Sequence, residues 1–319
     1  MKPAHVDPEH QNALIYCADD NALPSALFSA SRAALLNPDR RFDILVCSLS
    51  PIALPRYFLD LGIKPVHLDY TDHLKAAGVR ERHLPITAFL RLWLPKAFAD
   101  TYERILYVDT DTDIVDPSLS DFDLLDLGPH AIGGVRDKQQ WTEIDRSIHE
   151  FKSRDLGRGA YMNGGVMLID TEAFNRRGLL ARLLRTNETM APFIHHDQSL
   201  VNLTLRHEWA ELHPHWNWQG ALWYHRFTAE AAPRIIHYVG PYKPYNTNGN
   251  QLHYPSEIVK GYADFMAAHF PDRPQPEVPS HSRLGKARIA LKMRYDDLRL
   301  TRQLRPLSGR FRDDFEVFT

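Results

Sequence analysis

The stretch Arg104-Ile-Leu-Tyr-Val-Asp109-Thr-Asp111-Thr-Asp113 decides the reading of this chain. Four apolar residues run straight into three carboxylates at alternate positions. Ile105 to Val108 would be apolar on both faces of a strand, the pattern of a strand in a sheet covered by helices on both sides. Alternate side chains of an extended segment point the same way. Two carboxylates one residue apart therefore converge on one point, where they repel and raise each other's pKa. A divalent cation removes that cost. Oxygen ligands suit Mg²⁺ or Mn²⁺, ions that commonly bridge phosphates. The pair is either Asp109/Asp111 or Asp111/Asp113; the first is nearer the strand end and is preferred.

Working outward, apolar runs alternate with helix-like segments. Strands are predicted at Asn12–Ala18, Phe42–Leu49, Lys64–Tyr70 and Arg104–Asp109, with helices at Leu23–Leu36, near Pro51–Leu61 and over Ile86–Ala99. Asn21 is a candidate cap for the first helix, and Pro24 sits in its first turn. Later, Tyr161–Asp170 reads as a glycine-bearing turn into a buried strand. Thr171–Arg185 and His195–Arg206 read as helices, and Ile235–Tyr238 as a short strand. This is an α/β pattern with a mainly parallel sheet. Ligands of such sheets bind at the carboxyl ends of strands, which draws attention to Asp19-Asp20-Asn21 and to the Asp109–Asp113 run.

The composition fits an ordinary globular protein. The 319 residues are 44% hydrophobic and 24% charged, with a formal net charge of -2. Global charge gives no case for nucleic-acid binding. The two cysteines, Cys17 and Cys47, lie in apolar runs and form no zinc spacing. No segment is long and apolar enough to span a membrane, and the N-terminus lacks the apolar core of a secretory signal. The expectation is a cytoplasmic protein. Charge is uneven, however: residues 283–312 carry ten Lys/Arg against two Asp. There Leu284, Ala287, Leu291, Tyr295 and Leu298 fall at helical spacing, as in an interfacial helix on an anionic leaflet. The expected layout is a catalytic domain over 1–270, a Pro-rich linker over 271–282 and a basic amphipathic tail over 283–319, with peripheral contact on the inner membrane face.

Six segments, in order, resemble the retaining glycosyltransferases of glycosyltransferase family 8, which include bacterial lipopolysaccharide and lipooligosaccharide galactosyl- and glucosyltransferases. They are Ala18-Asp-Asp-Asn21, His83-Leu-Pro-Ile-Thr87 leading to Arg91, Leu106-Tyr-Val-Asp-Thr-Asp111, Tyr161-Met-Asn-Gly-Gly-Val-Met-Leu-Ile169, His196-Asp-Gln198 and His237-Tyr-Val-Gly-Pro-Tyr-Lys243. The resemblance covers about residues 12–250. It implies a GT-A fold, Mn²⁺ or Mg²⁺, and a UDP-sugar donor whose hexose, galactose or glucose, passes with retention to a glycan or lipid-linked oligosaccharide acceptor.

The same resemblance assigns roles. Asp109, Asp111 and His237 hold the metal, with Thr110 between the acids. Ala18, Asp19 and Asn21 hold uracil and ribose. His83 and Arg91 contact the diphosphate or donor sugar, and Gly240 and Lys243 the diphosphate. Asp137, Asn163, Gly164, Asp197 and Gln198 line the donor sugar. Gln198 lies opposite the leaving group; an amide oxygen is a poor nucleophile, so its dipole stabilising positive charge is the preferred role. Gly164 stands where bacterial relatives often have Ala.

Residues 213–225, with three of the six tryptophans, offer either an acceptor platform or core. Trp141 and Tyr161 have the same two readings. Two other functions compete with the transferase: a non-catalytic carbohydrate- or nucleotide-binding relative, and a phosphatase whose nucleophile is Asp111 in Asp111-Thr-Asp-Ile-Val115.

Overall fold

The computed structural model describes residues 6–77, 86–219, 231–249, 251, 254–280, isolated positions between 285 and 307, and 309–319. His83 and Trp223 lie outside the described residues. The strands are β1 (Asn12–Cys17), β2 (Phe42–Ser48), β3 (Ile63–His67), β4 (Arg104–Val108), β5 (Thr112–Ile114), β6 (Ile132–Arg136), β7 (Met162–Asp170), β8 (Ala210–Glu211) and β9 (Ile235–His237). Seven of them form one sheet in the order β3-β2-β1-β4-β7-β6-β8, and β5 pairs with β9 in a small second sheet. β3, β2, β1 and β4 are mutually parallel. β7 runs antiparallel to both of its neighbours, so the sheet is mixed but mainly parallel.

Each central strand is buried on both faces, which is why its sequence is a continuous apolar run. In β1, Ala13, Ile15 and Cys17 enter one core layer. Leu14 and Tyr16 enter the other, against Leu27 and Ala30. Cys17 and Cys47 are both buried free thiols in adjacent register.

The helices are α1 (Leu23–Leu36), α2 (Arg56–Asp60), α3 (Thr71–Ala76), α4 (Leu94–Ala97), α5 (His149–Lys152), α6 (Thr171–Arg176), α7 (Leu179–Met190), α8 (His196–Thr204) and α9 (Ser256–His269). Four expectations are corrected. The helix near Pro51–Leu61 is only the short α2. The helix expected over Ile86–Ala99 is a 3₁₀ turn, Ile86–Leu92, followed by α4. The segment Thr171–Arg185 is broken by Gly178, which adopts φ 60° between α6 and α7, a conformation glycine takes at no steric cost. Asn21 does not cap α1: the carboxylate of Asp19 accepts the backbone N–H of Ala22 at 2.8 Å instead.

The end of the chain returns to the domain. Phe318 bridges Glu211 of β8, and Leu307 and Phe311 are buried. Of the apolar tail positions, Leu291, Tyr295 and Leu298 are exposed. Among the described residues, no helix is long and apolar enough to cross a membrane.

Candidate active site

Strand order reverses direction between β1 and β4, which makes the crevice at their carboxyl ends the expected ligand site. β1 delivers Ala18 and Asp19 there, and β4 delivers Asp109 and Asp111. Because β7 is antiparallel to β4, its beginning meets the end of β4: the N–H of Asp109 donates to the carbonyl of Gly165 at 2.7 Å. β6 ends at the same edge with Asp137. The β5–β9 pairing sets His237 opposite Thr112, and the N–H of Tyr238 donates to the carbonyl of Asp111 at 2.9 Å.

Asp109, Asp111 and His237 converge, each offering a ligand atom within 4.8 Å of the other two. His237 Nε2 is 3.1 Å from Asp111 Oδ1 and 4.0 Å from Asp109 Oδ2. Asp113 turns away into the core, where Arg32 meets it at 3.1 Å. Burial, partly offset by Arg32, pushes its carboxyl up to about 6. Thr110 is partly exposed between the two site acids.

Two carbon-free contacts orient the imidazole and its neighbours. His237 Nδ1 faces Asn217 Oδ1 at 3.0 Å. An amide oxygen accepts only, so Nδ1 carries a proton toward it, and Nε2 is the nitrogen aimed at the carboxylates. Asn217 in turn donates to Asn163 Oδ1 at 2.9 Å. Backbone must also come close: a Cβ on Gly165 would lie 2.1 Å from His237 Cε1 and 2.8 Å from Asp109 Oδ2. Two carboxylates and an imidazole whose Nε2 faces them are a donor set that fits Mn²⁺ and Mg²⁺.

The acids are held by cations of two kinds. Arg91 is buried, with Nη2 2.8 Å from Asp109, Nε 3.1 Å from Asp197 and Nη1 donating to the Gly164 carbonyl at 2.9 Å. Its guanidinium also lies over the Tyr107 ring, 4.6 Å from the centroid. The Tyr107 hydroxyl donates to Asp109 Oδ1 at 2.5 Å. Burial works against the charge on Arg91, but Asp109 and Asp197 outweigh it and hold the group firmly protonated. Lys243 is less enclosed; its ammonium donates to Asp111 and to the Tyr238 carbonyl. Burial raises the Asp111 carboxyl, yet Lys243 and His237 more than reverse this and keep it well below the usual carboxylate range.

Asp137, Asn163, Gly164 and Gln198 form a closed network. Gln198 Oε1 accepts from the Gly164 N–H at 3.1 Å and from Asn163 Nδ2 at 3.3 Å. Gln198 Nε2 donates to Asp137 Oδ2 at 3.1 Å, and Asn163 Nδ2 donates to the same oxygen at 3.2 Å. Asp197 is buried against Arg91, and burial raises its carboxyl despite that partner. It is not the cap of α8, a position taken by His195.

At the end of β1, Ala18 and Asp19 line a cleft of about 180 Å³ together with Leu23, Ser48, Leu49 and Thr87. Asn21 is exposed beside it. Gly240 adopts φ 94°, a turn that favours glycine, three residues before Lys243. Trp141, Tyr161, Trp216 and Trp218 are buried and belong to the core, so none of the four is an acceptor platform. Gly165, Asn217 and Tyr107 have no site role in the sequence reading. Gly165 falls within the Tyr161–Ile169 segment, and Asn217 within the aromatic stretch 213–225.

The family model Glycosyl transferase family 8 matches residues 13–249, and the chain belongs to that family. It is therefore a glycosyltransferase, which displaces the phosphatase reading of Asp111. General stress protein A of Bacillus subtilis (strain 168) is 25% identical over 268 residues, 74% of this chain and 87% of the relative. Glycosyltransferase GlyF of Streptococcus pneumoniae serotype 4 is 25% identical over 250 residues, 73% of this chain but 57% of the relative, so this chain spans little more than half its length. Among solved structures, the galactosyltransferase LgtC with donor and acceptor sugar analogs superposes with TM-score 0.59 at 20% identity, covering 79% of this chain and 95% of that one. The bifunctional glycosyltransferase WbbM superposes with TM-score 0.62 at 16% identity, covering 81% of this chain and 51% of its own. The shared fold is GT-A.

Proposed function

We propose that this glycosyltransferase moves a hexose, galactose or glucose, from a UDP-sugar to a glycan acceptor with retention at the anomeric carbon, in the building of a surface polysaccharide or lipopolysaccharide. The observation that carries the reading is the convergence of Asp109, Asp111 and His237 beside the Ala18–Asp19 cleft, at the strand-order reversal. These three residues would hold Mn²⁺ or Mg²⁺, whose chemistry there is Lewis-acid stabilisation of the departing diphosphate. Lys243 supplies a second, mobile positive charge for the same group. Ala18, Asp19 and Asn21 bind the nucleoside at the cleft.

Retention follows from a front-face reaction, in which the departing phosphate takes the proton of the incoming hydroxyl. Gln198 fits an electrostatic role better than a covalent one. Its amide oxygen already accepts two hydrogen bonds, from Gly164 and Asn163, which lowers its nucleophilicity and fixes its dipole. Asp137 holds the other end of the amide. Asp197 acts as a positioning residue by locking Arg91. The exposed Leu291, Tyr295 and Leu298 within a basic segment support peripheral attachment to an anionic membrane, near a lipid-linked acceptor.

The test is UDP release from a panel of UDP-sugars with Mn²⁺, repeated with EDTA and with Asp111→Ala. Metal-dependent release from one sugar, lost in the variant, establishes the reaction and names the donor. Absence of both release and metal-dependent UDP binding overturns the proposal in favour of a non-catalytic relative. Co-sedimentation with phosphatidylglycerol vesicles, reversed by salt, tests the membrane contact.

A further inference from the structure

A second cluster of ligand-type side chains lies away from the donor crevice, where the end of the chain meets the domain. His213 and His215 flank Pro214 at the start of a 3₁₀ turn, and Asp314 approaches from the C-terminal segment. His215 Nδ1 is 2.9 Å from Asp314 Oδ1, and His213 Nδ1 is 3.3 Å from the same oxygen. Each of the three offers an atom within 4.8 Å of the other two. Tetrahedral ligands at zinc-like bond lengths of about 2.0–2.1 Å are roughly 3.3 Å apart, so the spacing is already that of a coordination edge.

The hydrogen bonding leaves a cation's place. His213 Nδ1 accepts the backbone N–H of His215 at 3.2 Å, so it holds a lone pair and no proton. That lone pair and the Asp314 oxygen are then two acceptors facing one another. The surrounding charge is negative. Arg234 is shared between Asp116 at 2.5 Å, Asp121 at 3.9 Å and the second oxygen of Asp314 at 3.4 Å, one guanidinium among three carboxylates.

We propose that His213, His215 and Asp314 form a second metal site, separate from the donor site, which takes a divalent transition ion of the Zn²⁺ class and clasps the C-terminal segment to the catalytic domain. Two imidazoles and one carboxylate select Zn²⁺ or Co²⁺ over Mg²⁺. The metal would take over the His213 lone pair from its weak backbone contact. The clasped segment also touches the domain beyond the Phe318–Glu211 bridge. The Trp216 indole N–H donates to the Asp314 carbonyl at 2.8 Å, and Arg310 pairs with Glu211 at 2.8 Å. Glu211 also holds Arg136, the residue before Asp137.

The experiment uses the full chain carrying Asp111→Asn, so that the donor site is disabled, after dialysis against chelator. Co²⁺ is titrated and its visible absorption read, then Zn²⁺ is added in competition. The expected result is one equivalent of tetrahedral-type Co²⁺ absorption displaced by Zn²⁺, lost in His215→Gln and again in Asp314→Asn. Two independent variants guard against misfolding, and circular dichroism checks each. Zn²⁺ should also raise the melting temperature of the parent and not of the variants. No absorption, or absorption retained by both variants, overturns the proposal.

Discussion

Adding the same methyl group to two adjacent glycines should give opposite results. Gly164 and Gly165 are neighbours in β7, and neither needs a left-handed backbone, so any difference comes from what the new carbon meets. On Gly165 it lies 2.1 Å from His237 Cε1 and 2.8 Å from Asp109 Oδ2. Ordinary contact needs about 3.5 Å, so the imidazole must retreat by roughly 1.4 Å. That motion breaks the 3.0 Å bond to Asn217 that fixes the tautomer. Overpacking of this kind costs about 1–3 kcal/mol, and loss of an orienting partner lowers metal affinity about 10–100-fold. On Gly164 the new carbon meets Gln198 Cβ at 3.5 Å, ordinary contact. Gly164→Ala should therefore leave the melting temperature unchanged or slightly raised, since alanine also restricts the unfolded chain by about 0.4–1 kcal/mol. The assay is Mn²⁺ titration by calorimetry, with UDP release read in parallel. Gly165→Ala with metal affinity and turnover within twofold of the parent would refute the reasoning.

Asn217→Ala should weaken Mn²⁺ binding about tenfold or more by freeing the His237 tautomer, with little change in fold by circular dichroism. Lys243→Met should tighten Mn²⁺ binding measured alone, because it removes the ammonium competing for Asp111, while weakening UDP binding; a loss of both would contradict a Lys243 that passes from Asp111 to the diphosphate. Arg91→Met strands the buried carboxylate of Asp197 and removes a partner from the half-buried Asp109, and should cost on the order of 3–5 kcal/mol in urea unfolding. In metal-free buffer, His213 contributes stability that is present above its unfolded pKa of 6.5 and lost as pH falls through about 4. That is on the order of 3 kcal/mol between the two states, and His213→Gln should flatten the acid limb of the melting curve.

The strands around the crevice were legible because each is buried on both sides and reads as an unbroken apolar run. The first helix was legible to the residue, Leu23–Leu36. Other elements depended on contacts the sequence does not display. The segment after Ile86 holds apolar residues at helical spacing, yet it is a tight 3₁₀ turn that drives the Arg91 guanidinium between Asp109 and Asp197. β6 carries two glycines, Gly133 and Gly134, whose missing side chains make room for Leu127 and Met162, and glycine lowers rather than raises a strand signal. The Asp109–Asp113 run left its register open because both pairs share one spacing; tertiary pairing of Asp113 with Arg32 is what separates them. Asn217 could not be singled out, since its role depends on β9 bringing His237 beside it.

The two cations at the acids are built for different duties. Arg91 is enclosed by Asp109, Asp197, the Gly164 carbonyl and the Tyr107 ring, and moving it would leave buried charge without a partner. It neutralises part of Asp109 permanently and limits how strongly the site can hold an ion. Lys243 follows the Gly240 turn and is tied to Asp111 by a flexible stem. On the proposed function, a cation at Asp111 would make that ammonium redundant and free it for the diphosphate of a donor. One lysine would then couple ion binding to donor binding: the ion would gain its ligand as the donor gained its counter-charge. A lysine suits this exchange better than an arginine, whose planar fork would grip the carboxylate with two hydrogen bonds and resist release.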